Sequence, residues 1–232
     1  MNENIYAVIT GDIIGSRELT EASSTPWVNY LKKYLKSVGK NYVVPLTIYR
    51  GDGFQGVTRD ISSALKDAII LRLSLIANFE NNERYPRLDA RIAIGIGKID
   101  LERNKQRNIG EMDGEAFINS GRLLDHIKSK KRNLAIKTSW EELNSDFDLF
   151  CLMADRLISR WTKRQCEVIT SRLNEEKLEY IGMGLNITTS AVSRRLEGTD
   201  YDIVEKILLS YSDKIEKKLN SKCPEDMETL WT

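Results

Sequence analysis

Tyr49-Arg50-Gly51-Asp52-Gly53-Phe54-Gln55 sets an acidic residue between two glycines, with short β-prone runs on either side at 46–49 and 54–57. Two such runs around a Gly-Asp-Gly turn are a hairpin signal, and Asp52 falls at the tip. A second stretch, Ile9-Thr10-Gly11-Asp12-Ile13-Ile14-Gly15-Ser16, has the same grammar: an apolar run over 5–10 stops at Gly11, and Asp12 follows. Each stretch places one Asp where an apolar strand ends in a glycine turn. If those strand ends lie side by side, Asp12 and Asp52 converge. Two converging carboxylates are ligands for the magnesium of a nucleoside triphosphate.

Working outward, 27–38 carries Val28, Leu31, Tyr34, Leu35 and Val38 at helical spacing, which predicts a helix after the first strand. Asp60-Ile61-Ser62-Ser63 is a helix start, and Leu65, Ile69, Leu73 and Ile76 continue it to about Phe79. Arg91-Ile92-Ala93-Ile94-Gly95-Ile96-Gly97 reads as a central strand whose glycines admit the close approach of other backbone. The charged stretch 101–111 reads as a loop, 113–129 as a helix and 134–138 as a strand. The order βαββαβαβ points to an α+β mixed sheet with helices mainly on one face.

From Phe147 onward the signals are helical, with Phe150, Met153, Leu157 and Trp161 forming one apolar stripe. The expected division is a sheet domain over 1–146, a coupling helix over 147–160, an all-α domain over 161–222 and a tail over 223–232. Within the helical part, Leu178, Ile181, Leu185, Val192 and Leu196 have the spacing of a helix-turn-helix. Gly182 admits close helix packing, Asn186 suits a left-handed turn residue, and Thr188 or Thr189 caps the second helix. Thr188, Thr189, Ser190, Ser193 and Arg194 then suit the major groove of double-stranded DNA, with Arg195 a phosphate contact. The competing reading is a small bundle used for dimerisation, since Glu197, Asp200 and Asp202 offset the arginines. A last helix over 202–219, with Ile203, Ile207, Leu208, Tyr211 and Ile215 as its stripe, closes the domain.

Composition narrows the chemistry. Net charge +1, 30% charged and 41% hydrophobic residues describe an ordinary globular chain of 232 residues, so any basic patch is local. The run 5–9 has strand length and no stretch is long enough to span a bilayer, so a cytoplasmic protein without a membrane partner is expected. Cys151, Cys166 and Cys223 fit neither a disulfide framework nor paired zinc ligands. His126 is the only histidine, which removes Ser-His and multi-histidine mechanisms and leaves carboxylates to carry any metal chemistry.

In this order, the N-terminal phrases resemble the catalytic domain of class III nucleotidyl cyclases, and the whole chain looks like a member of the SatD family. Asp12-Ile13-Ile14-Gly15 matches the first cyclase Asp motif, Gly51-Asp52-Gly53-Phe54 the second, and Arg91–Gly97 the later Arg-x-Gly-Ile strand. The resemblance implies a palm-like domain over roughly the first 140 residues, with Asp12 and Asp52 as Mg2+ ligands. It also implies that Arg122 is a transition-state residue acting across a homodimer. Ile118 stands where the cyclase helix carries Asn, Asn119 is one residue late, and no purine-selecting Lys precedes Gly51.

Backbone N–H groups of Ile13, Ile14, Gly15 and Ser16 are candidate phosphate receivers, joined by Arg17, Arg50 and Arg91. Against this stands the reading of Asp12 and Asp52 as ordinary turn residues, and of Arg122 as a surface partner of Asp125. Three functions remain in play. They are a DNA-binding regulator that senses a Mg-nucleotide, an active cyclase or nucleotidyltransferase localised by its helix-turn-helix, and a non-catalytic scaffold.

Overall fold

The apolar run Tyr6-Ala7-Val8-Ile9 is buried on both faces, as expected of a strand at the centre of a sheet covered on both sides. The computed structural model describes residues 4–16, 27–38, 42–79, 87–104 and 107–221. In it, β1 (Ile5–Ile13) lies between β3 (Gly53–Thr58) and β4 (Ala90–Lys98), antiparallel to both. β2 (Val44–Arg50) completes the expected hairpin with β3, and β5 (Leu134–Thr138) pairs parallel to β4, giving the order β2-β3-β1-β4-β5. The hairpin turns at Gly51, whose φ of 55° is the left-handed value that favours glycine.

Strand alternation divides the packing. Ala7, Ile9 and Ile13 face the main core with α1 (Trp27–Val38) and α2 (Ala64–Asn78), while Tyr6 and Val8 face α4 (Glu115–Ser129). Most helices thus cover one face and α4 covers the other. The close approach expected at the fourth strand is made by α4. A Cβ on Gly95 would lie 2.1 Å from the Ala116 carbonyl oxygen and 2.4 Å from the Ser120 nitrogen.

The stretch 101–111 is not the loop expected from its charge. It holds a one-turn helix, α3 (Leu101–Asn104), and a 3₁₀ turn (Ile109–Glu111). The cause is local hydrogen bonding: the Arg103 N–H donates to the Asp100 carboxylate, and buried Asn104 donates to the carbonyls of Asp100 and Asp113.

A second difference concerns α5 (Glu141–Ile158), which begins before Phe147 and packs through Phe147, Cys151, Ala154 and Ile158. Met153, expected in the buried stripe, is 39% exposed, and Phe150 and Leu157 are half-buried. Two apolar stripes run side by side on this helix with the same period, so periodicity alone does not choose between them.

The helix-turn-helix forms as its residues require. α6 (Lys163–Leu173) starts with a capping box between Thr162 and Gln165. α7 (Leu178–Leu185) ends at Asn186, which adopts φ 53°, and Thr188 caps α8 (Thr189–Leu196) by accepting from the Ala191 N–H. Val168, Ile181 and Val192 form its small core. α9 (Tyr201–Asn220) returns to the sheet domain, where the buried Tyr211 hydroxyl donates to the Ile61 carbonyl at 2.8 Å. Among the described residues no helix is long and apolar enough to cross a membrane.

Candidate functional site

β1 does not stop at Gly11. It runs on to Ile13, with Gly11 opposite Phe54 and Asp12 opposite Arg91, and the turn comes at Gly15, where φ is 71°. Gly11 is needed for a different reason than a turn: a Cβ there would lie 2.3 Å from the Phe54 ring and 2.6 Å from the Arg91 carbonyl oxygen. Because β1 and β3 are neighbours, the end of β1 and the tip of the β2–β3 hairpin open onto one cleft of about 320 Å³. Asp12, Ile13, Gly15, Ser16, Asp52, Arg91 and Lys128 line it.

Asp12 is well enclosed, its side chain 13% exposed. Arg91 Nε lies 3.1 Å from its Oδ1, and Lys128 Nζ lies 3.4 Å from its Oδ2. The Arg91 contact is misaligned, so buried Asp12 Oδ1 and Arg91 Nε have no hydrogen-bond partner among the described residues. Burial raises the Asp12 pKa above the ordinary carboxylate value; Arg91 and Lys128 oppose that rise and neighbouring Asp52 adds to it. Tyr49, on the hairpin, has its phenol raised chiefly by burial and also senses Asp125, Asp12 and Asp52.

Two carboxylates and two cations in one cleft sum to no net charge. The donor set is of the kind a divalent cation takes: Asp12 Oδ1 is a buried oxygen without a hydrogen-bond partner among the described residues, Asp52 offers a second hard oxygen in the same cleft, and Mg2+ needs only one or two carboxylates beside phosphate and water oxygens. Among the described residues no group of three or more His, Cys, Asp or Glu side chains forms a self-contained metal cage.

The other candidates are distributed unevenly. Ile14 is turned to the fold, since its N–H donates to the Asp89 carbonyl at 3.0 Å and is not free for a phosphate. Arg50 is exposed at the end of β2, and Arg122 is exposed on α4; neither lines the cleft. Asn119 donates to the Ile96 carbonyl and Ile118 is 45% exposed. His126 is exposed on the same helix. Arg17 and Cys223 lie outside the described residues. Lys128 escaped the sequence reading because it approaches Asp12 from 116 residues away; its only signal was a basic residue in the last turn of a helix.

On the helix-turn-helix, Thr189, Ser190 and Arg194 are exposed. Ser193 is half-buried and its hydroxyl donates to the Thr189 carbonyl. Arg195 is held by Glu167 at 3.2 Å. Cys151 and Cys166 are free and buried, and burial raises both thiols, Cys166 to about 12.

Several solved structures are similar to this chain. The active GGEEF domain of a diguanylate cyclase from Vibrio cholerae matches with 16% identity and a TM-score of 0.42, over 58% of this chain and 83% of that one. The monomeric guanylyl cyclase domain of the RhoGC fusion protein from the aquatic fungus Blastocladiella emersonii matches with 18% identity and a TM-score of 0.39, over 53% and 75%. A bacterial light-regulated adenylyl cyclase matches with 18% identity and a TM-score of 0.42, over 57% of this chain and 43% of that protein, less than half of its length. No curated protein matches. The SatD family model matches residues 6–208, strand and helix-turn-helix parts alike, and the chain belongs to the SatD family.

Proposed function

We propose that the chain is a DNA-binding regulatory protein whose sheet domain binds a nucleoside triphosphate with Mg2+. The observation that carries the reading is the meeting of Asp12, Asp52, Arg91 and Lys128 in one cleft at the sheet end, beside the backbone of Gly15 and Ser16. A bound Mg2+ supplies positive charge for the phosphates. The chain's own part is to hold that ion with Asp12 and Asp52 and to contact phosphate oxygens with Arg91, Lys128 and backbone N–H groups. Sensing is favoured over turnover because Ile118 stands where the cyclase helix carries Asn, and Asn119, one residue late, is committed to the Ile96 carbonyl. Turnover would need a second subunit to bring Arg122 in; in the sensing reading a homodimer enters as the assembly state that nucleotide binding shifts.

The DNA half of the proposal is supported by the exposed Thr189, Ser190 and Arg194 on a capped second helix. Nucleotide alters DNA affinity only if it binds two conformations or assembly states unequally.

Calorimetry of the protein with each nucleoside triphosphate and Mg2+ tests the first half. Binding is expected in the wild type, with a loss of at least about tenfold in Asp12→Asn and in Asp52→Asn. Product analysis of the same mixtures separates sensor from enzyme, and absence of binding in folded protein leaves a scaffold. For the second half, duplex DNA binding at low salt is expected to weaken in Arg194→Ala, and unchanged binding there sinks the assignment of α8 as the reading helix.

A further inference from the structure

We infer that Lys128 is a built-in counter-ion of the cleft, which holds Asp12 in the metal-free protein and turns its charge to a phosphate when Asp12 takes a divalent cation. The inference rests on the nucleotide reading above and deepens it. Asp12 faces two cations of different character. Arg91 is fixed opposite it in the β1–β4 ladder with a side chain only 16% exposed. Lys128 stands in the last turn of α4, its side chain is 60% exposed, and its ammonium reaches Asp12 at a loose 3.4 Å. A lysine on a flexible stem gives up such a contact readily, because its ammonium is a point charge with no fixed fork to satisfy.

The electrostatics ask for this exchange. With Asp12 and Asp52 balanced by Arg91 and Lys128, the cleft is neutral and offers a polyphosphate no net attraction. Once a divalent cation is held there, the attraction of Lys128 to Asp12 is redundant, and its charge is available within the same cleft. Asp12 Oδ1 is buried 3.1 Å from Arg91 Nε yet has no hydrogen-bond partner among the described residues, so the ion pair leaves the carboxylate room for a further ligand.

The consequence is a pair of opposite effects that a merely structural lysine does not produce. Wild type, Lys128→Met and Lys128→Arg are titrated with Mn2+ alone, followed by its paramagnetic resonance signal, and with Mg-tripolyphosphate by calorimetry. Circular dichroism verifies the fold of each variant. Removing the competitor is expected to tighten Mn2+ binding about fivefold in Lys128→Met, as for a mostly exposed ion pair. The same variant is expected to bind Mg-tripolyphosphate about tenfold more weakly, through loss of a charge-assisted phosphate contact, while Lys128→Arg keeps a cation for phosphate and, with a fork to grip Asp12, gains no Mn2+ affinity. Shifts in the same direction, or none, in a wild type that binds the probe overturn the role of Lys128 and leave the nucleotide reading standing. If wild type binds neither probe and Lys128→Met does not gain Mn2+ binding, the nucleotide reading falls and this inference with it.

Discussion

At the scale of single residues, the acids of this protein differ by what faces them. Asp89 takes a bidentate grip from Arg72 and also accepts from the Ala90 N–H, and Asp12 faces two cations. Asp67 faces a phenol: the Tyr42 hydroxyl donates to it at 2.9 Å, and burial pushes its pKa from 3.8 to about 6 despite that bond and the pull of Lys66. A folded pKa above the unfolded one means that folding favours the protonated form. The associated stability is complete below 3.8 and is lost as pH rises through about 6. Ionised Asp67 then costs the fold up to about 3 kcal/mol. Asn at this position keeps an acceptor for Tyr42 without the charge. Asp67→Asn is therefore expected to raise the melting temperature most above about pH 7, with the gain falling to about half at pH 5. Thermal denaturation across that range checks it, and a gain independent of pH means that the charge is not its cause.

At the scale of elements, a glycine under α4 and a glycine on its open side make opposite predictions. Gly95 of β4 lies under α4 with backbone atoms of Ala116 and Ser120 where a Cβ would be, whereas a Cβ on Gly121 of α4 meets nothing within 4 Å. Gly95→Ala is expected to cost about 3 kcal/mol by overpacking against backbone that has no rotamer to yield. Gly121→Ala is expected to gain about 0.5–1 kcal/mol from helix propensity. Urea unfolding of both variants checks the pair, and equal effects would mean that α4 does not sit on β4 this closely. The closeness at Gly95 was legible in the sequence because a glycine inside an Ile-rich strand weakens the strand unless another backbone needs the space. The hairpin, the helix-turn-helix and the meeting of Asp12 with Asp52 were legible for the same kind of reason, since each depends on local turn chemistry plus neighbouring strands. What stayed hidden depends on which face or partner a helix meets. The buried stripe of α5 competed with an equally periodic one, and Lys128 looked like any solvated lysine until α4 crossed the sheet.

At the scale of the whole molecule, the sheet domain and the helices after it share one core. The cluster that holds Ile9, Ile69 and Ile94 also holds Cys166, Ile169 and Tyr211, and the Phe147 and Tyr211 rings meet at 5.0 Å between centroids. Its centre is polar. Arg72 of α2 is fully buried, gripping Asp89 through two bonds of 2.9 Å and Asp155 of α5 through a third of 2.9 Å, and its pKa is raised by both despite burial. Asp155 also accepts from the Asn133 N–H ahead of β5, so one guanidinium ties α2, the entry to β4 and α5 together. The sequence reading did not single out Arg72, whose place in the core is explained by two carboxylates arriving from distant segments. Such a network contributes little net stability when intact, because desolvation offsets attraction, but removing one member leaves uncompensated buried charge. Arg72→Met strands two carboxylates at once and is expected to cost about 3–5 kcal/mol or to prevent folding. A milder test keeps the chain intact. If the shared core makes sheet and helices one cooperative unit, urea unfolding followed by far-ultraviolet circular dichroism and by fluorescence of the buried Trp27, Trp140 and Trp161 should give coincident transitions. Trp161 is the telling probe, because its Nε1–H donates to the Thr199 carbonyl between α8 and α9 and reports on the helix-turn-helix side. Replacing Trp27, Trp140 and Trp231 by Phe isolates its signal. An early Trp161 transition would make the helix-turn-helix a separately melting unit; coincidence means that the sheet and the helices packed on its core unfold as one cooperative unit.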